Sequence, residues 1–470
     1  MFASLLEAIN GFLYYPLLII VLAVAGIYFS FRTKFVQIRM VPEAIRALME
    51  KPEDDNGVSS FQALIVSTAS RVGTGNIVGV STAIVLGGPG AAFWMWLLAI
   101  IGAATAFIES TLAQIYKRKD KETGESYGGP AYYIESALKN RGIASLFALF
   151  LILTYAFGFN LLASYNLQST FAVYDFYHPS TTPYIIGAIL AAIVAYAIFG
   201  GGKRIVRITE IIVPVMGIAY VLMSIIVLAM NIDLLPNAIR LIFEDAFSAR
   251  SFGGGLAGSA MIYGIKRGLY SNEAGVGSAP NAAASAGVSH PVKQGLVQFM
   301  SVYIDTLLIC TATAMMCIVT DVQPTEELAG APFIQEVLAQ NFGSIGPSFI
   351  TIAMILFSFT TLLGNLYYCE PALTFLNKNK RPSKNFILIF NIICVAVIFI
   401  GALVPMDMAW TIADILMAGM ALINIPVCLL IGNVAIKAVA DYNEQRKAGK
   451  EPVFKASKVG LDPNELDYWG

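Results

Sequence analysis

Runs of about 20 apolar residues, the length that crosses a bilayer as a helix, fall along the whole chain. They lie at roughly 11–31, 61–86, 91–116, 144–173, 183–200, 206–231, 255–283, 294–320, 347–376, 385–405 and 409–437. The pattern predicts an all-α protein of about eleven spanning helices, two of them poor by hydropathy. One stretch interrupts the pattern. SRVGTGNIVG, Ser70 to Gly79, is flanked by FQALIVSTA and VSTAIVLGG, yet it carries three glycines, an arginine and an asparagine. Lipid offers the backbone no hydrogen bonds, so unwound chain at that depth must line a cavity or be buried in protein.

Composition sharpens the class. The 470 residues are 57% hydrophobic and 13% charged, with a mean hydropathy of +0.69, whereas soluble domains carry about 25% charged residues. The chain is an integral membrane protein with lipid around it, and a net charge of −1 gives no reason to expect a nucleic-acid partner. Glu7 and the lack of an early Lys or Arg exclude a signal-peptide n-region, so the first apolar run is expected to be kept. The five cysteines fall in apolar runs without CxxC spacing and read as small buried hydrophobes.

Basic residues set the orientation, because Lys and Arg concentrate on the cytoplasmic side. Arg32, Lys34, Arg39, Arg46 and Lys51 follow the first run; Lys117, Arg118, Lys119 and Lys121 follow the third. Lys203, Arg204 and Arg207 follow the fifth, Lys378, Lys380, Arg381 and Lys384 the ninth, and Arg446, Lys447 and Lys450 lie in the tail. Alternate loops have little positive charge; the one at 232–254 offsets Arg240 and Arg250 with Asp233, Glu244 and Asp245. The expected protein sits in the cell membrane with its N-terminus outside and its C-terminus in the cytoplasm.

The odd stretch has an echo. Arg71-Val-Gly-Thr-Gly-Asn76-Ile-Val-Gly79-Val80 aligns with Arg267-Gly-Leu-Tyr-Ser-Asn272-Glu-Ala-Gly275-Val276, and Phe107-Ile-Glu-Ser110 with Tyr303-Ile-Asp-Thr306 at the same offset. Looser echoes pair Asn166-Leu167 with Asn365-Leu366 and Ile198-Phe-Gly200 with Phe399-Ile-Gly401. The organisation expected is a peripheral helix and cytoplasmic loop (1–57), two five-helix repeats (58–232 and 233–440) and a tail (441–470). Five is odd, so the second repeat inserts upside down. Inverted repeats that each begin with a glycine-broken helix, here at 70–79 and 267–277, point to a secondary transporter with its site at mid-membrane. The glycines are expected to let the backbone unwind there.

RGLYSNEAGVGSAP, Arg267 to Pro280, together with VGTGN and the order of spans, resembles the signature of the alanine or glycine:cation symporter family, over nearly the whole chain. The resemblance implies the leucine-transporter fold, a 5+5 inverted repeat with one extra N-terminal helix. It implies Na+ as the coupling ion and alanine or glycine as the substrate. By the same likeness, the amides at Thr74 and Gly75, with Asn76 beside them, take the substrate carboxylate. The carbonyls of Ala69, Val72 and Phe357 and the hydroxyls of Thr360 and Thr361 hold sodium. Such neutral oxygens suit a monovalent ion better than a divalent one. Arg71 departs from the pattern: it stands where a small residue often leaves room for a second sodium, so a single ion is expected.

Further candidates come from the residues themselves. Asn160, Ser164 and Gln168 recur every four residues on one face, and Gln168 is the side chain expected at the substrate carboxylate or amine. Ser271, Asn272, Gly275 and Gly277 are the matching choices in the second broken helix. Arg71 and Arg267 are costly at mid-membrane, so ion pairs with Glu109, Glu273 or Asp305 are expected. Gly73-Thr-Gly75-Asn-Ile-Val-Gly79 lacks the strand a dinucleotide loop requires. His178 and His290, each before a proline, are expected to face solvent, and the aromatics of YAFGFN and VYDFY to form an interfacial belt. No HExxH, GxSxG turn or catalytic aspartate pair argues for an enzyme. The alternative is a proton-coupled amino-acid symporter of the same fold, with Glu273 or Asp305 carrying the proton. A channel is disfavoured by the broken-helix repeat, and a monomer is expected.

Overall fold

In the computed structural model residues 2–50, 58–120, 124–248 and 259–469 are described. Lys51, Lys121, Arg250 and the expected end of the first unit at residue 57 lie outside them. Among the described residues eight helices are long and apolar enough to cross a membrane. These are α1 (Leu5–Arg32), α4 (Ala91–Ile115), α6 (Arg141–Ser169), α8 (Arg204–Met230), α12 (Pro291–Ile318), α14 (Ile345–Leu376), α15 (Lys384–Gly401) and α16 (Met406–Ile431). Between them lie α2 (Ser60–Arg71), α3 (Val80–Gly87), α5 (Pro130–Leu138), α7 (Thr182–Ile198), α9 (Leu235–Ala246), α10 (Ala260–Asn272), α11 (Ala279–Ala283) and α13 (Ala331–Phe342). A further helix, α17 (Asn433–Lys447), follows Gly432 and ends the last predicted run at Ile431 rather than 437. The only strands described, β1 (Arg118–Lys119) and β2 (Ser126–Tyr127), form a hairpin after α4.

The broken helices are two half-helices each, α2 with α3 and α10 with α11. A capping box starts α2: Ser59 accepts from the Gln62 amide and the Gln62 side chain accepts from the Ser59 amide. Ser59's counterpart is Ser259, whose hydroxyl caps α10 at the Ile262 amide. The half-helices pack with α4 and α12, while α14 touches α2, α6, α7 and α8. The site therefore lies inside a shell of helices, reached by polar side chains that no lipid contacts.

Polarity is distributed the opposite way from a soluble protein. On α8, Ile211, Val215, Ile218, Leu222 and Ile225 are exposed at helical spacing and face lipid. Asn76, Glu109, Asn160, Asp305 and Asn365 are fully buried. Two expectations need correction. His290 is buried, accepts from the Val292 amide as the N-cap of α12, and packs on Tyr442 and Phe454; a residue before an N1 proline is a natural cap site. In YAFGFN, Tyr155 and Phe159 are buried against Tyr368 and Tyr270, so they belong to the interior and not to an interfacial belt. His178 and Phe176 are exposed.

Candidate functional site

The first broken helix stays helical through Arg71, so the break begins at Val72, two residues past its expected start. Val72 then leaves the helix (φ −74°, ψ 88°), and the chain re-enters through a wide turn of π type, Gly75–Gly79, that runs into α3. Hydrogen bonding explains the break. The Gly73 amide, which would close the next turn onto Ala69, donates to Asn76 Oδ1 at 2.7 Å. The Asn76 amide goes to the Gly73 carbonyl at 3.2 Å instead of to Val72. The carbonyls of Ala69 and Val72 thus lose their usual helical donors.

The glycines here serve close approach. Neither Gly73 nor Gly75 has a positive φ, contrary to the expectation that they permit unwinding. A Cβ on Gly73 would collide with the hydroxyl of Thr361, and one on Gly75 would lie 2.5 Å from the ring of Tyr270. Tyr270 is itself held edge-on between Phe159 and Trp410, each at 4.9 Å.

The second break is built differently. It begins at Glu273, after the helix has run five residues past Arg267, and it does use positive φ: 54° at Glu273, 87° at Gly275 and 90° at Gly277. Glu109 on α4 accepts from the Gly275 amide (3.2 Å) and from Asn424 Nδ2 (2.7 Å), and Asn424 also donates to the Gly275 carbonyl (2.9 Å). Tyr133 completes this group by donating to Asn424 Oδ1. Gly275 abuts Ile425 and Thr105, and Gly277 abuts Phe147, Pro130 and Asn424. The structure therefore does not bring these two glycines to the Thr74–Asn76 turn.

Ser271 does reach it, and Asn272 joins the same polar cluster through Thr306. Asn76 Nδ2 donates to Ser271 Oγ (2.9 Å) and to Asp305 Oδ1 (2.7 Å), while Asp305 Oδ2 accepts from Ser271 and Thr306. Asn272 donates to Thr306 Oγ1 at 3.2 Å. Asp305 lies in a π-type stretch of α12, Tyr303–Cys310, a local widening common at functional sites. Cys310 is more than a buried hydrophobe: its sulfur lies 3.3 Å from Asn76 Nδ2 and 3.1 Å from Ser271 Oγ.

Along α6 the polar stripe diverges. Asn160 accepts from Asn365, Ser164 donates to the Ile398 carbonyl, and Gln168 accepts from Tyr177 in the following loop. The residue that meets the first break is Asn166, whose Nδ2 donates to Thr74 Oγ1 at 3.0 Å and whose Oδ1 is buried and unpartnered. Asn365 accepts from Ser70 at 2.9 Å. Both asparagines belong to the looser sequence echo, which was the one available signal for them.

Of the oxygens expected at sodium, Thr361 Oγ1 is buried, unpartnered and set against Gly73. Thr360 turns back on its own helix, donating to Leu356 and Phe357 carbonyls at 3.0 and 3.2 Å, with Met216 sulfur at 3.7 Å. Arg267 pairs with Asp414 (3.4 Å) and lies 3.7 Å over Trp410, not with any of the three acids expected. Asp414, on the last apolar helix, carried no sequence signal.

Two helices broken within a buried polar shell define a secondary transporter. The solved structure of MhsT in complex with L-phenylalanine, a leucine-transporter-fold protein, matches 87% of this chain and 92% of its own, with a TM-score of 0.51 and 14% identity, which shows the fold alone. The chain belongs to the Sodium:alanine symporter family, matched over residues 1–456. It is 44% identical to the "Probable sodium/glutamine symporter GlnT" of Bacillus subtilis, covering 98% of this chain and 94% of that one. It is 37% identical to the "Sodium/proton-dependent alanine carrier protein" of Bacillus sp. (strain PS3), covering 90% and 96%. The resemblance read from Arg267–Pro280 is borne out. The protein is a multi-pass membrane transporter of a sodium-coupled amino-acid symporter family and not an enzyme.

Proposed function

We propose that the protein imports small neutral amino acids, alanine and glycine, with one sodium ion, by alternating access around the first break. The observation that carries this reading is the set of oxygens at that break. The Ala69 and Val72 carbonyls are deprived of helical donors, and the unpartnered Thr361 hydroxyl lies beside Gly73. Together they offer a monovalent cation neutral ligands. The amides of Thr74 and Gly75 take the substrate carboxylate, with Asn76 and Asn166 fixing the turn that presents them. Tyr270, pressed on Gly75, limits the space for a substrate side chain. The N-terminus faces outward, the tail faces the cytoplasm, and the monomer suffices.

Proton coupling is the second reading, favoured by the buried carboxylates Glu109, Glu273 and Asp305 and by the name of the strain PS3 relative. Labelled alanine uptake into proteoliposomes under an imposed sodium or proton gradient separates the two. Uptake driven by sodium and weakly inhibited by leucine supports the first. Uptake that follows the proton gradient alone supports the second. Glutamine competing as well as alanine would move the substrate toward that in the name of GlnT.

A further inference from the structure

The two broken helices meet again away from the site, at the face that carries the tail. The chain entering α2 pairs with the chain leaving α11: Val58 and Ala286 form a parallel bridge, and the Gly287 amide donates to the Val58 carbonyl at 3.0 Å. Ser60, the first residue of α2, accepts from Gln294 of α12 at 3.0 Å. The end of α4 completes the junction. Gln114 Nε2 and Lys117 Nζ both donate to the Ala286 carbonyl, each at 2.9 Å. Entry to one half-helix, exit from the other and the end of α4 thus converge on Ala286 and Gly287.

The tail past α17 folds back over this junction. Glu451 pairs with Lys293 at 2.5 Å, a lysine it shares with Glu50 at 2.6 Å, and with Arg46 at 3.1 Å. These groups, with Ser60 and Ser289, line a cavity of about 280 Å³. The Phe454 amide donates to the Ser289 carbonyl at 2.9 Å, and the Phe454 ring packs on Trp469. Trp469 Nε1 in turn donates to the Gln114 carbonyl at 2.8 Å, and Asp467 accepts from the Lys119 amide at 2.8 Å. Lys117 is 1% exposed, with the Tyr468 ring 3.7 Å from its ammonium and the Trp469 ring at 5.2 Å. A desolvated ammonium is attracted to the face of an aromatic ring, so the tail stabilises the group that holds Ala286.

We propose that Glu451–Trp469 is a strap on the transport cycle: docked, it holds the junction of the two broken helices shut toward the face that carries the tail, and it lets go when the site opens to that face. The proposal rests on the alternating-access reading above. Opening to one face requires the half-helix ends on that face to part while the other face stays closed. Contacts made only in the closed arrangement shift the balance toward it. The exposed Arg46–Glu451 pair contributes little of that bias; the aromatic contacts on Lys117, Ser289 and Gln114 contribute most.

The test compares full-length wild type with Tyr468→Ala combined with Trp469→Ala, and with Tyr468→Phe, which keeps a ring over Lys117. Amide hydrogen–deuterium exchange in detergent is read at 58–66 and 283–293, with α10 as the internal reference. The half-saturating alanine concentration is read in right-side-out and in inside-out membrane vesicles. The double variant is expected to exchange at least about tenfold faster at 58–66 and 283–293, while its α10 and the whole of Tyr468→Phe keep wild-type rates. Its half-saturating alanine rises about three- to fivefold in right-side-out vesicles, because fewer molecules stand open to the outside, and does not rise in inside-out vesicles. Should the double variant not fold, Tyr468→Ala alone is read in the same way. Junction protection equal to wild type, equal loosening of α10, or an equal rise in both kinds of vesicle overturns the proposal. Hydrogen exchange needs no substrate, so a wild type that fails to carry alanine would strike the functional reading while the junction measurement still decides this one.

Discussion

The two helix breaks align at one offset in sequence, yet they fall on opposite sides of the residue that aligns them. The first, Val72 to Thr74, precedes Asn76, whose side chain captures the Gly73 amide and so creates the break. The second, Glu273 to Ser278, follows Asn272 and is made by three residues in the left-handed region. One break frees backbone carbonyls beside an unpartnered hydroxyl; the other has its amide and carbonyl groups bound by Glu109 and Asn424. A repeated sequence can therefore divide the labour, one copy presenting ligands and the other acting as a braced joint.

That contrast predicts different failures for the same substitution. Gly73→Ala drives a methyl into Thr361 and should cut sodium-driven uptake by about a hundredfold or more, some 2.7 kcal/mol, while much of the protein still folds. Gly275→Ala should act on folding instead. Its φ of 87° costs a side-chain-bearing residue about 1–2 kcal/mol, so melting temperature falls while the sodium concentration for half-maximal uptake stays near wild type. If Gly275→Ala shifts the sodium dependence more than Gly73→Ala does, the division of labour is wrong.

The threonine pair sharpens the picture. Thr361→Ala removes the free hydroxyl beside Gly73 and should raise the half-maximal sodium concentration by roughly five- to tenfold, about 1 kcal/mol. Thr360→Ala removes a hydroxyl already bonded to its own helix and should shift it by less than about twofold. Equal shifts would return Thr360 to the ion. The smallest effect expected is on α6: Gln168→Ala should leave alanine affinity within about twofold, whereas Asn166→Ala, which releases Thr74, should weaken it several-fold. The reverse order would restore Gln168 to the site.

Much of the architecture was legible before any coordinates. Apolar run lengths mark the spans because a bilayer has one thickness, and Ser70–Gly79 betrays its break because polar backbone at that depth needs a reason. Less legible was everything that depends on which face of a helix turns inward. Asn160, Ser164 and Gln168 share an ideal helical face, but the wide turn Leu153–Gly158 precedes them, and Asn166 is the residue that meets Thr74. Asp305 is aimed by a similar widening in α12. The Asp414 partner of Arg267 lies 147 residues away in sequence, and spacing carries no information about such a pair. Glycine function was misjudged in the first break because a glycine needed for a neighbour's approach looks, in sequence, like one needed for its own backbone freedom.

The central claim is that freed carbonyls at the first break and the Thr361 hydroxyl couple sodium to amino-acid entry. Its most direct test is labelled alanine accumulation in proteoliposomes, wild type against Thr361→Ala, with an inward sodium gradient imposed at equal pH and then an inward proton gradient imposed without sodium. The account predicts accumulation by wild type under the sodium gradient alone, and for Thr361→Ala a response shifted to higher sodium. Accumulation under the proton gradient without sodium, or a Thr361→Ala sodium response that overlays wild type, would contradict it.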